Sequence, residues 1–446
     1  MTLTRSLRLG LVALGLAVSS FLIAAIVGRG GDQSAPQTSE PLGRDSVSVA
    51  EVANPGDLSG TIAALQTRLD RLPTDSDSWA ALGSAYIQQA RITGQPDYYA
   101  KASGALDRSL EESPDRNYAA LTGQSALASA RHDFHLALKL ARQSERINRF
   151  SAANQGMLVD ALVELGRYRE ATQAAQRMID LKPGVPSYTR VSYIFELRGE
   201  LQSARYAMQQ ALQLAYSPDD KAFALFQLGE LAFNSGDPET AAKHYATGLE
   251  LAPSYVPLLY GEAKAAAAMG DTEQAVSTFQ TVVDRLPLPG YLKEYADLLE
   301  SLGRDDEAEQ QRQLIAAQQQ ILESAGVDVD AELALYDADN GQPERALQAG
   351  ERAFAKQKGI FTEDVYAWAL HVNGRDREAL PHIRNANRLG TKSALLAYHQ
   401  GAIEQALGKD AAAAESYARA LDINPYFSPL QAPLARQALS ELRAGR

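Results

Sequence analysis

A chain of 446 residues has room for two or three domains or for one long repeat array, and with 45% apolar residues it can bury a large core. It contains no cysteine, which excludes disulfides, thiolate zinc sites, a cysteine nucleophile and lipid attachment through a cysteine. A formal net charge of −12 argues against a general nucleic-acid or anionic-membrane surface, which would need a basic face.

The first predicted element in chain order is an apolar helix. Arg5 and Arg8 precede an uncharged run from Leu9 to Gly28, long enough to span a bilayer. The basic flank belongs on the cytoplasmic side, so the rest of the chain is expected outside it, in a periplasmic or cell-surface setting. The apolar core is longer than that of a typical cleaved signal and no clean Ala-x-Ala site follows it. An uncleaved anchor over residues 1–29 is therefore preferred to a signal peptide removed after export. Residues 30–57, rich in Gly, Ser, Pro and Asp and without an apolar period, read as a flexible tether.

From residue 58 onward the sequence repeats. A glycine followed five residues later by an alanine occurs at Gly166/Ala171, Gly199/Ala204, Gly236/Ala241, Gly270/Ala275, Gly303/Ala308, Gly341/Ala346, Gly374/Ala379 and Gly408/Ala413. Seven residues beyond most of those alanines stands another small or apolar residue, among them Met178, Ala211, Val282, Ala386 and Ala420. Several units close on proline, at Pro183, Pro253, Pro287 and Pro425. Glycine ends a first helix where positive φ costs nothing, and alanine lets a second helix pack closely on it. Proline then stops the second helix.

Three units depart from this register. The first carries an insertion, Arg91 to Asp97, between its helices. The second, near Tyr118 to Arg149, lacks the turn glycine, although Asp133, Phe134 and Ala137 keep the spacing. The seventh, beginning near Pro289, extends its second helix through Glu309 to Glu323 and marks a change in superhelix curvature. The segment Asn424 to Pro429 leads into a last helix ending at Arg443, with the polar outer face that a terminal cap requires.

The segment Trp79-Ala80-Ala81-Leu82-Gly83-Ser84-Ala85-Tyr86, the second Leu-Gly pair at Leu228-Gly229 and the Gly-to-Ala-to-Pro spacing resemble the tetratricopeptide repeat over about residues 58–446. The resemblance implies an all-α fold, a right-handed α-solenoid of about ten helix-turn-helix repeats with a C-terminal capping helix. One array is expected over residues 58–326 and a second, with the cap, over residues 327–446.

Enzyme signals are absent from the sequence. His132 and His135 share a helix face but lack further convergent ligands, so no metal site is assigned. The acidic stretch Asp328, Asp330, Asp337, Asp339, Asn340, Gly341 misplaces Tyr336 and Ala338 for a calcium loop and overlies an ordinary repeat turn. There is no nucleophile elbow, phosphate loop, zinc-protease helix or dinucleotide fingerprint, and no cofactor or catalytic residue is expected.

In the family's architecture the first helix of each repeat lines a concave face. Residues of those helices that point away from the partner helix are groove candidates: Arg190, Tyr193, Glu196, Phe226, Glu230, Phe233, Asn234, Tyr260, Lys264, Lys293, Asp297, Trp368, His371 and Tyr398. Trp368 and His371, one turn apart, are expected to act together, and Arg190 and Lys264 are candidates to receive a partner's carboxylate. Aromatic area with interspersed charge suits a peptide or helix laid in a groove. The function expected is that of a non-catalytic scaffold for a protein or peptide partner in an extracytoplasmic complex. The alternatives are a cell-envelope polysaccharide binder or a regulatory subunit of an enzyme. Membrane contact is expected through the N-terminal helix alone, and no nucleic-acid contact is expected.

Overall fold

The computed structural model describes residues 58–445; the anchor and tether expected over residues 1–57 lie outside them. Every regular element among the described residues is a helix, and none is long and apolar enough to cross a membrane. After α1 (Leu58–Arg71) the helices form ten pairs. The first five are α2/α3 (Ser76–Thr93, Asp97–Glu112), α4/α5 (Tyr118–Ala130, Phe134–Ile147), α6/α7 (Ala152–Glu164, Tyr168–Leu181), α8/α9 (Val185–Leu197, Leu201–Gln213) and α10/α11 (Pro218–Phe233, Pro238–Leu251). Next come α12/α13 (Val256–Met269, Thr272–Arg285), α14/α15 (Pro289–Ser301, Asp305–Ser324) and α16/α17 (Asp330–Asp339, Pro343–Lys356). The last two are α18/α19 (Ile360–Val372, Asp376–Ala386) and α20/α21 (Ala394–Ala406, Asp410–Ile423), followed by α22 (Gln431–Ala444). The molecule is an α-solenoid of helical repeats.

The repeat spacing follows from packing at two small-residue positions. The eight alanines five residues beyond the turn glycines have no accessible surface, and neither does Ala137 in the unit without the glycine. Each is a contact where one extra methylene would push the paired helices apart. The glycine of the Leu-Gly pair is the second position. A Cβ on Gly83 would stand 2.5 Å from Cγ of Leu106, and one on Gly123 would also overlap Leu106. Tyr245 fits in the same way against Gly229 and Gly261, and Tyr417 against Gly401. A large residue of the second helix thus sits in holes left by glycines on the flanking first helices.

In the second unit His132 takes the glycine's place, with φ +60, and Asp133 caps α5 by accepting the Leu136 N–H at 2.9 Å. The turn survives the substitution because its backbone hydrogen bonds, His132 N–H to Ser129 O and Asp133 N–H to Ala128 O, are the ones a glycine turn makes.

The solenoid closes on itself. The turn inside the second unit meets the chain between the seventh and eighth, where Asp328 N–H donates to Arg131 O at 3.1 Å and His132 Nδ1 donates to Asp328 O at 2.8 Å. The turn of the third unit meets the connection before α18, where Ile360 N–H donates to the Tyr168 hydroxyl at 2.8 Å. The turn of the fourth receives the Thr391 hydroxyl on Leu197 O, and Gly236 in the fifth abuts Ile423 and Pro425. The bonded residues are 192 to 197 apart, so one register carries the second superhelical turn along the first.

The long α15 delivers the chain to this seam. Val327 and Val329 join the apolar cluster that contains Leu158, Leu162 and Leu197, so the core runs across the junction at residues 326/327. The acidic stretch that follows is tied up in the same region. Asp328 and Asp330 hold Lys356, Asp330 also holds Arg352, and Asp337 holds Arg345.

Two turn glycines with matching backbone separate the seam from ordinary turn strain. Gly166 (φ +71) faces Lys358 O, 2.6 Å from where a Cβ would stand, whereas Gly374 (φ +70) has open space there. Gly374→Ala should cost about 1 kcal/mol, the αL penalty alone, and leave the solution radius unchanged. Gly166→Ala should cost about 1–3 kcal/mol more and enlarge the radius of gyration measured by small-angle scattering. Equal losses and equal radii would mean that the seam does not hold the two turns together.

Candidate functional site

Stacking two superhelical turns converts the concave groove into a lumen. It holds a cavity of about 660 Å³ lined from His132 and Phe134 in the second unit round to Arg436 in α22. Of the sequence-derived candidates, Tyr193, Glu196, Phe226, Glu230, Phe233, Asn234, Tyr260, Lys264, Lys293 and Asp297 line it. Arg190, Trp368, His371 and Tyr398 do not.

The four exceptions have structural employment. Arg190 is buried with Asp160 in a two-pronged ion pair at 2.7 Å for both prongs, and its third nitrogen donates to Pro186 O. Trp368 stacks between His371 (4.8 Å) and His399 (4.0 Å) and donates Nε1–H to Asp339 at 3.0 Å. Trp368 and His371 do meet, but inside the wall. His371 itself bonds to Asp376, and Tyr398 packs against Trp368, Tyr417 and Phe427. The displacement has a geometric cause. In the fourth and fifth units the C-terminal half of the first helix faces the cavity, and in the sixth and seventh the lining runs from Tyr260 to Ala268 and from Gly290 to Ser301. In α18 the lining residues are instead Phe361, Thr362, Asp364 and Val365, and at α20 they are the segment from Ser393 to Leu396, the N-terminal turns of those helices.

The lining is acidic as well as aromatic. It presents nine carboxylates against three lysines and one arginine. Lys264 is already satisfied: Nζ donates to Glu230 at 2.8 Å and lies over the rings of Phe233 (4.8 Å) and Tyr260 (4.6 Å). With Arg190 held by Asp160, neither cation put forward as a carboxylate receiver is available for one. Lys293 bridges Asp297 at 2.8 Å and Asp339 at 3.4 Å, and Asp339 also accepts from Gln431 in α22 at 3.3 Å. Tyr260 donates its hydroxyl to Glu294 at 2.5 Å, and Asp364 pairs with His399 at 2.8 Å. Glu332 lies 3.7 Å from His132.

Two lumen carboxylates have neither a hydrogen-bond donor nor a cation among the described residues: Glu164, at the end of α6, and Glu196, on α8. Glu196 Oε2 is shut off from solvent with no partner. Burial, then the charges of Asp160 and Glu332, push Glu164 up to about 8. Burial, then Glu230, pushes Glu196 up to about 7. Burial also raises Glu294, Asp297 and Glu332. Among the described residues no three His, Asp or Glu side chains converge as metal ligands.

Sequence reasoning missed Glu164, Asp339 and the C-terminal segment Tyr426–Phe427, all of which line the lumen. A periodic signal existed for the first two. The residue two before the turn glycine lines the cavity as Glu164, Asn234, Ala268, Ser301 and Asp339. No such signal marks Tyr426 and Phe427, which enter because α22 folds back along the wall.

Comparisons with known proteins find the same repeat. Residues 232–293 match the family model described as "Tetratricopeptide repeat". The chain is similar to anaphase-promoting complex subunit 7 of Arabidopsis thaliana, 27% identical over 168 residues, or 37% of this chain and 28% of that relative's length. Among solved structures it is similar to a thermophilic tetratricopeptide protein of Thermus thermophilus (22% identical, 39% of this chain and 91% of that one, TM-score 0.35). It is also similar to yeast Tom70 (14% identical, 87% and 86% covered, TM-score 0.33).

The raised carboxylates carry a sign that can be measured. Between the ordinary glutamate value of 4.5 and their folded values near 7 and 8, Glu196 and Glu164 bind protons in the folded chain that the unfolded chain has released. Their contribution to stability is therefore complete below 4.5 and is lost as pH rises through 7 and 8. The double variant Glu164→Gln/Glu196→Gln should melt close to the parent at about pH 5 and clearly above it at about pH 9. Parallel melting curves across that range would contradict the burial of these two groups.

Proposed function

We propose that this chain, a tetratricopeptide-repeat protein, works without catalysis as an interaction module that takes an extended segment of a partner protein into its lumen. The observation that carries this reading is the cavity itself, which draws aromatic and charged side chains from first helices in both superhelical turns. A groove open on one side would suit a folded surface, whereas a lumen walled by two turns favours a single extended strand. Tyr260, Tyr291, Phe226 and Phe233 supply stacking area, and the carboxylates supply direction. The curated relative named as a subunit of a multiprotein complex supports a role in assembly.

The setting we propose is the outer side of a membrane, as part of an envelope complex. The support is the uncharged run Leu9–Gly28 behind Arg5 and Arg8, which has the length of a span and the flank of an outward-facing body. Protease added outside intact cells or spheroplasts should degrade the repeat body and leave the N-terminal segment with the membrane; a protected body would overturn the setting.

Photoreactive benzoylphenylalanine tests the lumen directly. Placed at Phe226 or Tyr426, both of which line the cavity, it should give covalent adducts with a partner protein in native membranes. Placed at the exposed Tyr206 or Tyr216 it should give none. Adducts from the outer positions alone would refute binding in the lumen.

A further inference from the structure

Outside the lumen, on the same seam, five arginines crowd the first two turns of α7. Arg142 on α5 donates to Glu170 at 3.3 Å, and Arg167 holds the same carboxylate with two bonds at 2.7 Å. Arg198, in the turn of the fourth unit, donates to the Thr172 hydroxyl at 2.7 Å. Arg388, in the connection before α20, lies 5.5 Å from the centre of the Tyr168 ring and donates to Asn385 O at 2.8 Å and to Lys358 O at 3.1 Å. Two residues turn a helix by about 200°, so Glu170 and Thr172 mark opposite flanks of α7. Ala171, Ala174, Ala175 and Met178 face inward, which leaves Arg169 exposed on the crest between those flanks. None of the five arginines lines the cavity.

We infer that these arginines form a docking strip, along the outer side of the seam, for an acidic segment of a partner protein. The strip goes beyond the lumen reading and does not depend on it. In a chain of net charge −12, five guanidiniums here surround one carboxylate. Hydrogen bonds from Arg167, and the charges of Arg167, Arg142 and Arg169, hold Glu170 below the ordinary carboxylate range, so it stays ionised and balances a single charge. The carboxylates nearby are otherwise engaged or few. Glu164 faces the lumen, Glu363 is taken by His382 at 2.6 Å, and Glu200 stands at the start of α9. Arg198 and Arg388 bond a hydroxyl and two carbonyls, which fix their guanidiniums in place without neutralising them. Each guanidinium carries five N–H donors, so both keep donors for a bidentate carboxylate. The cations fan across α7 from flank to flank, which fits successive carboxylates of an extended strand better than one phosphate. Arg388 covers the Tyr168 ring, so that ring offers no open face for a nucleobase to stack on. Arg388 belongs to the second superhelical turn and the other four arginines to the first, so a strand bound across them clips the seam from outside.

Alternate residues of an extended strand face one side, so the probe is a fluorescein-labelled peptide alternating glutamate and serine, and its control carries glutamine in place of glutamate. Anisotropy titration uses the whole chain. The glutamate peptide should bind about tenfold or more tightly than the control at about 50 mM salt and lose that advantage at about 0.5 M. Arg169→Gln/Arg198→Gln should weaken the glutamate peptide about tenfold and leave the control unchanged. Arg169→Lys/Arg198→Lys keeps the charges and should retain part of the affinity. Benzoylphenylalanine in place of the exposed Gln173, one turn beyond Arg169, should give adducts with the glutamate peptide, and in place of Phe226 it should give none.

If the double variant fails to fold, Arg169→Gln, which removes no hydrogen bond from the chain, should still weaken the glutamate peptide several-fold. Equal binding of both peptides by the parent would overturn the strip, as would undiminished binding by the glutamine variants. Adducts from Phe226 instead of Gln173 would place the acidic peptide in the lumen and overturn it too. Capture of the parent by phosphatidylglycerol vesicles without any peptide binding would assign the arginines to a membrane surface. Each of these results leaves the lumen reading standing, because the strip lies outside the cavity.

Discussion

The lumen exists because the second superhelical turn rests on the first. A solenoid whose repeats touch only their neighbours is an open ribbon, with one face to the solvent along its whole length. Here the turns inside the second to fourth units each meet a connection one superhelical turn later, through His132 to Asp328, Tyr168 to Ile360 and Leu197 to Thr391. The contacts use main-chain carbonyls and amides on one side of nearly every bond, so they depend on backbone shape more than on side-chain identity. Gly166 and Gly199 permit that approach, because each faces a carbonyl closer than a Cβ allows. Turn glycines of later units, such as Gly303, Gly341, Gly374 and Gly408, face open space and keep only their φ requirement.

Closing the tube changes the electrostatics of what lies inside. On an open groove, carboxylates at this density would be hydrated and screened, and each ion pair would contribute little. Walled by protein, the same groups lose water and must find partners, which is why Glu230 holds Lys264 and Lys293 holds Asp297 and Asp339, while behind the lining Asp160 is tied to Arg190. The Asp160–Arg190 pair is the most deeply buried of these, and its two parallel bonds fix the angle between α6 and α8. Such a pair adds little net stability over an apolar contact but is damaging to break, which suits a component whose task is register.

Much of the fold was legible in the sequence because its signals are local and repeated. A turn glycine, a buried alanine five residues on and a closing proline recur, and each has a local steric cause. Even the unit without glycine was readable from Asp133 and Ala137, since His132 adopts the turn's positive φ. The seam was not legible, because its partners are about two hundred residues apart and carry no periodic mark. That one omission is why the lining of the cavity differs from the groove expected in the second array. Without the second turn, Trp368, His371 and Tyr398 belong on an open concave face. With it, the cavity lies at the N-terminal ends of α18 and α20, and those rings become wall. Arg190 lies outside the lining for a different reason, since a basic residue on a first helix looks alike in sequence whether it meets solvent or a neighbour's aspartate.

The C-terminal helix joins these strands of argument. A capping helix is needed to cover the last apolar surface of any solenoid, and α22 does so through Ala435 and Leu439, which are packed with Tyr398, Tyr417 and Ala420. In a tube the cap acquires a second face, because the tenth unit ends against the turn of the fifth. Gln431 reaches Asp339 in the eighth unit, and Tyr426, Phe427 and Arg436 line the lumen. Asp339 therefore gathers Lys293, Trp368 and Gln431 from the seventh unit, the ninth unit and the cap. One carboxylate ties three parts of the wall, so the cavity's width near α22 is set by residues from one end of the second turn to the other. A segment entering the lumen meets a wall whose dimensions are fixed by such bonds, with Glu164 and Glu196 left as the carboxylates that the chain itself does not tie.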